Sequence, residues 1–152
     1  MKNQSEPKRL KRSESFLGVH FDFHAGEDCR EIGQHTTPEM IATILKLVKP
    51  DYVQCDCKGH PGYSSYPTRV GYPAPGITAD ALRIWRKVTA EYGVSLYMHY
   101  SGVWDNQAVR HHPNWARRDE NGHLDDRLTS TFGEYVDELL IPQLQELIDE
   151  YG

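Results

Sequence analysis

The sequence has few cysteines and no long apolar run. Its 152 residues include three cysteines, Cys29, Cys55 and Cys57, an odd number that lacks the paired C-x-x-C spacing of a structural zinc site. Two of them stand at i and i+2 of a predicted strand, a poor geometry for a disulfide, so we expect reduced thiols. No apolar stretch approaches the roughly 20 residues of a membrane span, and none precedes Phe16 as in a secretory signal. We therefore expect no membrane association and a cytoplasmic location.

Positive charge is also scarce outside the first residues. The formal net charge is −5, and the first 14 residues hold five basic and two acidic side chains, which leaves 12 basic against 20 acidic residues elsewhere. Because a nucleic-acid surface needs a basic patch that displaces counterions from phosphates, we expect no nucleic-acid partner. Residues 1–15 are predicted to be a disordered basic tail, and residues 16–152 to form one domain, since this length supports a single core.

Three segments alternate between apolar and polar residues, as strands do. Their polar positions are His20, Asp22 and His24 in residues 16–24; Gln54, Asp56 and Lys58 in residues 52–58; and Ser95, Tyr97, His99 and Ser101 in residues 94–101. A buried strand must pair or use its charged side chains, because an unpaired buried charge is too costly to keep. We therefore expect the three polar faces to form one chemical surface.

Helical patterns separate and follow these strands. Thr37-Pro38 is typical of a cap and a first-turn proline, and Thr78 is expected to cap a second helix that ends near Gly93. A third helix is predicted to follow a capping box at Thr131 and Glu134, with a kink one turn before Pro142.

The resulting order is β-α-β-α-β-α, which predicts an α/β fold with parallel strands. In an open doubly wound sheet, both faces of a parallel strand are covered by helices and are apolar. A polar inner face instead fits a (β/α)8 barrel, whose site lies at the carboxyl ends of its strands. The sequence therefore predicts a partial TIM barrel of three consecutive βα units.

The polar faces support two chemistries. His20, Asp22 and His24 could bind zinc or iron, although a hydrogen-bonded histidine beside an aspartate needs no metal. A sugar site needs polar groups for the hydroxyls and aromatic rings that stack on the C–H face of the sugar. The candidate sugar-binding residues are His20, Asp22, His24, Asp56, Lys58, His60, Tyr66, His99 and Trp104, with Trp115 as a further candidate platform.

The segment Lys58-Gly-His-Pro-Gly-Tyr-Ser-Ser-Tyr-Pro-Thr-Arg69 resembles the second-strand segment of α-L-fucosidase-type glycoside hydrolases, which carry Lys-His-His-Asp-Gly-Phe and then Trp-Pro-Ser-Lys. His60 falls on the second histidine of that motif, a sugar-binding residue there, whereas Gly59 and Pro61 replace the first histidine and the aspartate. Residues 96–104 are similar to the family's Tyr-Tyr-Ser segment that ends in Trp. Residues 111–122 and the helix at 135–151 more closely resemble the family labelled hypothetical glycosyl hydrolase six.

The resemblance implies a carbohydrate substrate, no cofactor, and a chain that is the N-terminal portion of a (β/α)8 glycoside hydrolase barrel. In fucosidase-type enzymes the nucleophile is an aspartate at the end of the fourth strand and the acid/base carboxylate comes later, so both are expected beyond Gly152. No catalytic residue is then expected within the chain, and the isolated chain should have at best weak activity. The alternatives are a metal-dependent barrel hydrolase that uses His20, Asp22 and His24, with His99 as a further candidate ligand, and a non-catalytic sugar-binding or assembly module that forms homo-oligomers through open barrel edges.

Overall fold

The computed structural model describes residues 8–152; residues 1–7, which hold the first half of the predicted tail, lie outside the described residues. The chain enters the fold along the surface, with one 3-10 turn at Arg12–Glu14. The carboxylate of Asp51 then accepts hydrogen bonds from the N–H groups of Phe16 and Leu17 at 2.7 and 2.8 Å. These two bonds fix the backbone just before the first strand.

The chain combines strands and helices in a mixed α/β fold, as predicted. The strands are β1 (Gly18–Phe21), β2 (Tyr52–Lys58), β3 (Tyr63–Ser64), β4 (Tyr72–Pro73), β5 (Ser95–Tyr100), β6 (Ala116–Arg118) and β7 (Leu124–Thr129). The helices are α1 (Pro38–Val48), α2 (Ala81–Glu91), α3 (Asn106–His111) and α4 (Ile141–Tyr151), with a second 3-10 turn at Pro113–Trp115 and a π-helical stretch at Val136–Leu140. Within residues 8–152, none of the helices combines the length and apolarity that a membrane crossing requires.

Strand β2 is the centre of the main sheet. It pairs in parallel with β1 on one side and with β5 on the other. The short strands β3 and β4 continue the sheet from the end of β2. Because β1, β2 and β5 run in the same direction, as predicted, their carboxyl ends meet at one edge of the sheet.

Capping residues set the starts of the first two long helices. Thr37 caps α1 through its side chain, and Pro38 is the first helical residue, as predicted. Helix α2 is capped by Asp80 and not by Thr78: Asp80 Oδ1 accepts from a first-turn N–H at 2.9 Å. The hydroxyl of Thr78 donates instead to the carbonyl of Ile32, because a tertiary bridge holds these two segments together.

The last helix is irregular one turn before Pro142, where the sequence predicts a kink. A proline has no N–H to donate one turn back, and residues Val136–Leu140 form a π-helix before α4 begins. The predicted capping box at Thr131 and Glu134 does not form among the described residues. Glu134 Oε2 accepts instead from the indole N–H of Trp115 at 3.2 Å.

The hydrophobic core lies between the main sheet and helices α1, α2 and α4. The sheet contributes the apolar positions of its three parallel strands: Phe21, Val53, Cys55, Cys57, Leu96, Met98 and Tyr100. The helices contribute Ile41, Leu45, Leu82, Trp85, Val88, Leu147 and Tyr151. Since successive side chains of a strand point to opposite faces, the polar residues of these strands are directed away from the core helices.

Residues 102–130, which have no clear periodicity in the sequence, form α3, a 3-10 turn and the β6–β7 hairpin. The predicted turn at 119–122 closes this hairpin, where Gly122 adopts a φ of +83°. Trp115 is 6% exposed and packs against Tyr135 in a second hydrophobic cluster. Trp115 is therefore a core residue, and the expectation that it is a sugar platform is not met.

Candidate functional site

The carboxyl ends of the parallel strands bring four imidazoles and one indole into a row. His20 lies 5.5 Å from His99, His99 lies 6.1 Å from His24, His24 lies 4.8 Å from His60, and His60 lies 4.3 Å from Trp104, measured between ring centroids. The side chains come from β1, from β5 and from the loops that follow all three parallel strands. The parallel register of the sheet thus assembles one continuous group from residues up to 84 positions apart in sequence.

Asp56 lies at the centre of this row. Its Oδ1 is 2.6 Å from His99 Nδ1 and 3.9 Å from His24 Nε2, and its side chain is 1% exposed. Asp22 Oδ1 lies 3.1 Å from the same His24 nitrogen. The second oxygen of Asp56, Oδ2, is buried and has no hydrogen-bond partner among the described residues. A buried polar atom left in that state costs about 1–3 kcal/mol, so Asp56 is an unusual residue for a purely structural role.

Burial also acts on the charge of Asp56. Removal from water raises the pKa of its carboxyl above the ordinary value, whereas the hydrogen bond with His99 and the nearby His24 lower that pKa. Within the described part of the chain, no lysine or arginine forms an ion pair with Asp56 or Asp22. The imidazoles of His24 and His99 are therefore the side-chain groups that contact these two carboxylates.

Gly59 makes room for His24. A Cβ atom at residue 59 would lie 2.5 Å from Cγ of His24, which is closer than real Cβ contacts come. A larger residue at this position would therefore displace the imidazole. The fucosidase-type motif has a histidine where this chain has Gly59, and the ring of His24 fills the space that a side chain at residue 59 would take.

Lys58 does not belong to the row of rings, contrary to the prediction. A register shift between Asp56 and Lys58 sets Lys58 opposite Tyr100, and the simple alternation of β2 ends there. Its Nζ lies 2.5 Å from Asp105 Oδ2 and 3.3 Å from the hydroxyl of Tyr135. Burial lowers the pKa of the Lys58 ammonium, and Asp105 partly opposes that shift. Lys58 is thus committed to a buried ion pair and is not free to bind a sugar.

Tyr66 also lies apart from the row. Its side chain is 1% exposed and its ring packs against Tyr151 in the main core. Its hydroxyl donates to Glu146 Oε2 at 3.0 Å, and the hydroxyl of Thr68 donates to the same oxygen at 2.5 Å. A sugar cannot stack on a ring that is covered by α4, so the structure gives Tyr66 a packing role.

Trp104 is the exposed aromatic ring of the site. Its side chain stacks on His60 with an angle of 19° between the planes, and the residue is 38% exposed. The indole N–H donates to Asn106 Oδ1 at 3.1 Å, and His60 Nδ1 lies 3.0 Å from the hydroxyl of Ser101. Both rings are therefore held in place while one of them stays open to solvent.

Four of the polar side chains converge more closely than the rest. Asp22, His24, Asp56 and His99 each offer a nitrogen or oxygen atom, and these atoms all lie within 4.8 Å of one another. The predicted metal set was His20, Asp22 and His24, and this group does not include His20. The difference arises because β1 ends before residue 22, so Asp22 and His24 no longer follow the alternation that begins at His20.

Sequence reasoning missed the buried polar residues that support the site. Asp105 is fully buried, caps α3 by accepting from Ala108 N–H at 2.9 Å, and pairs with Lys58. Gln143 of α4 donates to Ser64 Oγ at 2.8 Å. Asp105, directly before α3, was a usable capping signal, whereas nothing local marks a glutamine that is buried by a distant loop.

A half-open cavity of about 340 Å³ adjoins the site between β1, β2 and α2. Its lining includes Phe21, Phe23, His35, Asp56 and Trp85. This volume lies in the range of small-molecule pockets, and the lining is mostly apolar with a few polar groups, as such pockets usually are. Asp56 thus contributes to the cavity as well as to the row of rings.

These features define a class of protein: an α/β protein that groups histidines, carboxylates and an exposed indole at the carboxyl ends of parallel strands. Small-molecule sites of α/β folds are built at this edge. Known proteins offer a more particular likeness to this chain. No protein-family model matches the chain, and no curated protein matches it.

The fold is similar to that of two solved α-L-fucosidases. One is α-L-fucosidase isoenzyme 2 from Paenibacillus thiaminolyticus, with a TM-score of 0.75 and 23% identity over 90% of this chain and 22% of that chain. The other is α-L-fucosidase AlfC, a variant in complex with Fuca(1,6)GlcNAc, with a TM-score of 0.60 and 16% identity over 89% of this chain and 55% of that chain. At these identities the likeness concerns the fold, and the chain spans less than two thirds of either protein.

Proposed function

We propose that this chain is a carbohydrate-active protein of the glycoside hydrolase type, similar to α-L-fucosidases, and that residues 16–152 form three βα units of a (β/α)8 barrel. The observation that carries the proposal is the row of four imidazoles and one exposed indole at the carboxyl ends of three parallel strands. Barrel enzymes bind their substrates at that end. The similar fold of two α-L-fucosidases supports the proposed substrate class.

The site residues divide into contacts and supports. His20, Asp22, His24, His60 and His99 are the proposed partners of sugar hydroxyls, since imidazoles and carboxylates both donate or accept hydrogen bonds. Trp104 is the proposed stacking surface. Asp56 is almost fully buried, so we propose that it orients His99 and His24 and does not itself meet the sugar.

We propose that the two catalytic carboxylates of a retaining glycosidase are not among the described residues. Retaining hydrolysis needs two carboxyl groups about 5–5.5 Å apart, one on each side of the scissile bond. Asp22 and Asp56 instead approach the same nitrogen of His24, at 3.1 and 3.9 Å. We expect at best weak hydrolysis of aryl fucosides and galactosides by this polypeptide alone, and ordinary turnover in a chromogenic assay would contradict this assignment.

Sugar binding is tested by titration calorimetry with L-fucose and D-galactose. A stacked ring is worth about 0.5–1.5 kcal/mol, so Trp104→Ala should weaken binding by roughly 2- to 12-fold. His60→Ala should weaken it similarly, because it removes both a hydrogen-bonding group and the support of the indole. The matched control is His123→Ala, since His123 lies on the β6–β7 hairpin with a side chain that is 79% exposed. Equal affinities for all four proteins, or no saturable binding of either sugar, would refute the proposal.

A non-catalytic assembly role is the second candidate. Within residues 8–152, β1 and β5 each pair with β2 alone, so each has one unpaired edge. Unpaired strand edges are templates for pairing with another chain, and we propose a second copy of this chain as the partner. Light scattering coupled to size-exclusion chromatography tests this role, and a monomer over the whole concentration range would exclude it.

A further inference from the structure

We propose that Asp22, His24, Asp56 and His99 bind one divalent transition-metal ion, for which Zn²⁺ is the best-suited probe. The four side chains come from the ends of all three parallel strands, and their donor atoms lie within 4.8 Å of one another. Imidazole and carboxylate ligands together suit zinc and its neighbours in the first transition row. Asp22, His24 and His99 are also proposed sugar contacts, so the ion and the sugar would share this place, but the inference is argued from the geometry of the four residues and is tested with the ion alone.

The distances are close to those of a metal centre. An ion with bonds of about 2.0–2.1 Å holds tetrahedral ligand atoms roughly 3.4 Å apart. His24 Nε2 lies 3.1 Å from Asp22 Oδ1 and 3.9 Å from Asp56 Oδ1. The contact between His99 Nδ1 and Asp56 Oδ1, at 2.6 Å, has to lengthen, and the wider separations, which reach at most 4.8 Å, have to shorten. Side-chain rotations that bring these separations toward about 3.4 Å would complete the coordination shell.

The buried oxygen of Asp56 points independently to a cation. Oδ2 has no hydrogen-bond partner among the described residues, although the side chain is 99% buried. Buried charged groups in proteins are paired or bind metal ions. Since Oδ1 makes the contacts with His24 and His99, an ion held by both carboxylate oxygens of Asp56 would give Oδ2 the partner that the protein side chains do not supply.

The charges around the group favour the same conclusion. Two carboxylates face each other across His24, and neither forms an ion pair with a lysine or arginine in residues 8–152. The nearest buried ammonium along β2, that of Lys58, is paired with Asp105. A divalent ion would balance both carboxylates at once, and neutral imidazoles would complete its ligand set.

The four ligands should contribute unequally. The side chains of Asp56, His24 and His99 are 1%, 31% and 33% exposed, whereas that of Asp22 is 63% exposed. The ring of His24 lies directly against Gly59, in the space that a side chain at residue 59 would otherwise take. This close contact further confines His24. We therefore infer that three ligands form a fixed set and that Asp22 is the weakest of the four.

The test uses the full chain without a polyhistidine tag, stripped with EDTA and titrated with ZnCl₂ at neutral pH by calorimetry. We expect saturable binding of one Zn²⁺ per chain. Loss of groups that merely support a metal ligand costs 10- to 100-fold in affinity, so Asp56→Asn and His99→Gln should each cost roughly 100-fold or more. Asp22→Asn should cost less than either. The matched control removes the exposed Asp119–His123 pair, 3.2 Å apart, with Asp119→Asn and His123→Gln.

Several results would overturn the proposal. They are the absence of saturable Zn²⁺ binding by the wild-type chain, unchanged affinity in Asp56→Asn and His99→Gln, or an equal loss in the hairpin control. Far-UV circular dichroism shows whether each variant is folded. If Asp56→Asn is unfolded, the visible spectrum of the Co²⁺-loaded wild-type chain decides, since four nitrogen and oxygen ligands give strong tetrahedral bands and a hexahydrated ion does not. No sugar is present, so failure of the sugar titration leaves this result intact.

Discussion

The buried ion pair between Lys58 and Asp105 supports the site, and its removal is the most demanding test of that support. Nζ and Oδ2 are 2.5 Å apart, and the two side chains are 1% and 0% exposed. The pair joins the end of β2 to the residue that caps α3, directly after Trp104. We predict that Asp105→Asn destabilises the protein strongly, whereas the double variant Lys58→Met/Asp105→Asn is much less destabilised.

The magnitudes follow from the burial of both charges. Removing one partner of a buried pair costs about 3–5 kcal/mol, because the other charge stays buried without compensation. Asparagine keeps an oxygen that can accept from the Ala108 N–H, whereas Asp105→Ala loses that cap and should cost about 1 kcal/mol more. Replacing both charges by neutral groups of similar volume is often nearly neutral, so the double variant should recover at least about 2 kcal/mol.

Urea unfolding, followed by far-UV circular dichroism and tryptophan fluorescence, gives the free energy of unfolding of each variant. The double-mutant cycle gives the coupling free energy between Lys58 and Asp105. The control pair is Arg117 and Asp125 on the hairpin, 2.7 Å apart, with side chains that are 59% and 19% exposed. Arg117→Gln should cost less than about 1 kcal/mol, because exposed ion pairs contribute little. A loss below about 1 kcal/mol for Asp105→Asn, or strictly additive losses in the double variant, would show that this pair is not buried as described.

Three further predictions concern burial and the position of His24. Iodoacetamide should modify Cys29 in the native protein and leave the two buried thiols of β2 intact until denaturant is added. If mass spectrometry finds all three cysteines modified in the native protein, the burial of the two β2 thiols is contradicted. Burial raises the pKa of the Tyr66 and Tyr135 hydroxyls, so these phenols stay protonated in the folded state while the unfolded chain ionises them near pH 10. Their contribution to stability is present below about pH 10 and is lost as the pH rises further, and a melting temperature that stays level from pH 8 to 11 would disprove this. Gly59→Ala should displace His24 and lower the affinity for Zn²⁺ and sugar at least about 10-fold while the fold remains, with titration of the folded variant as the measurement.

Much of the fold was predictable because its signals act over a few residues. The cap at Thr37 and the proline at residue 38 are local features with their predicted effect, and the helix is π-helical where a kink before Pro142 is predicted. The strand alternation likewise identifies the core faces of β1, β2 and β5. The hairpin at 116–129 was missed, since its strands have no clean alternation and only the turn at 119–122 was recognisable.

The residue types of the site were predictable from the sequence, whereas the individual residues that belong to the site were less so. Imidazoles and carboxylates on one face of each strand indicated where chemistry would gather, and His20, His24, His60, His99 and Trp104 do lie together. Lys58 and Tyr66 have the right residue types but not the right positions. A one-residue register shift directs the first to Asp105, and the loop after β2 places the second under α4.

By itself, the sequence determined the order of the three parallel strands and the long helices, the apolar face of each of these strands and the residue types available for binding, because periodicity and capping depend on near neighbours. Only the tertiary structure decided that His24 fits over Gly59, that Asp56 meets His99 and leaves one oxygen unpaired, and that Lys58 is buried against Asp105. Those contacts join residues 35 to 47 positions apart, so they depend on strand register and loop path, which no local pattern encodes.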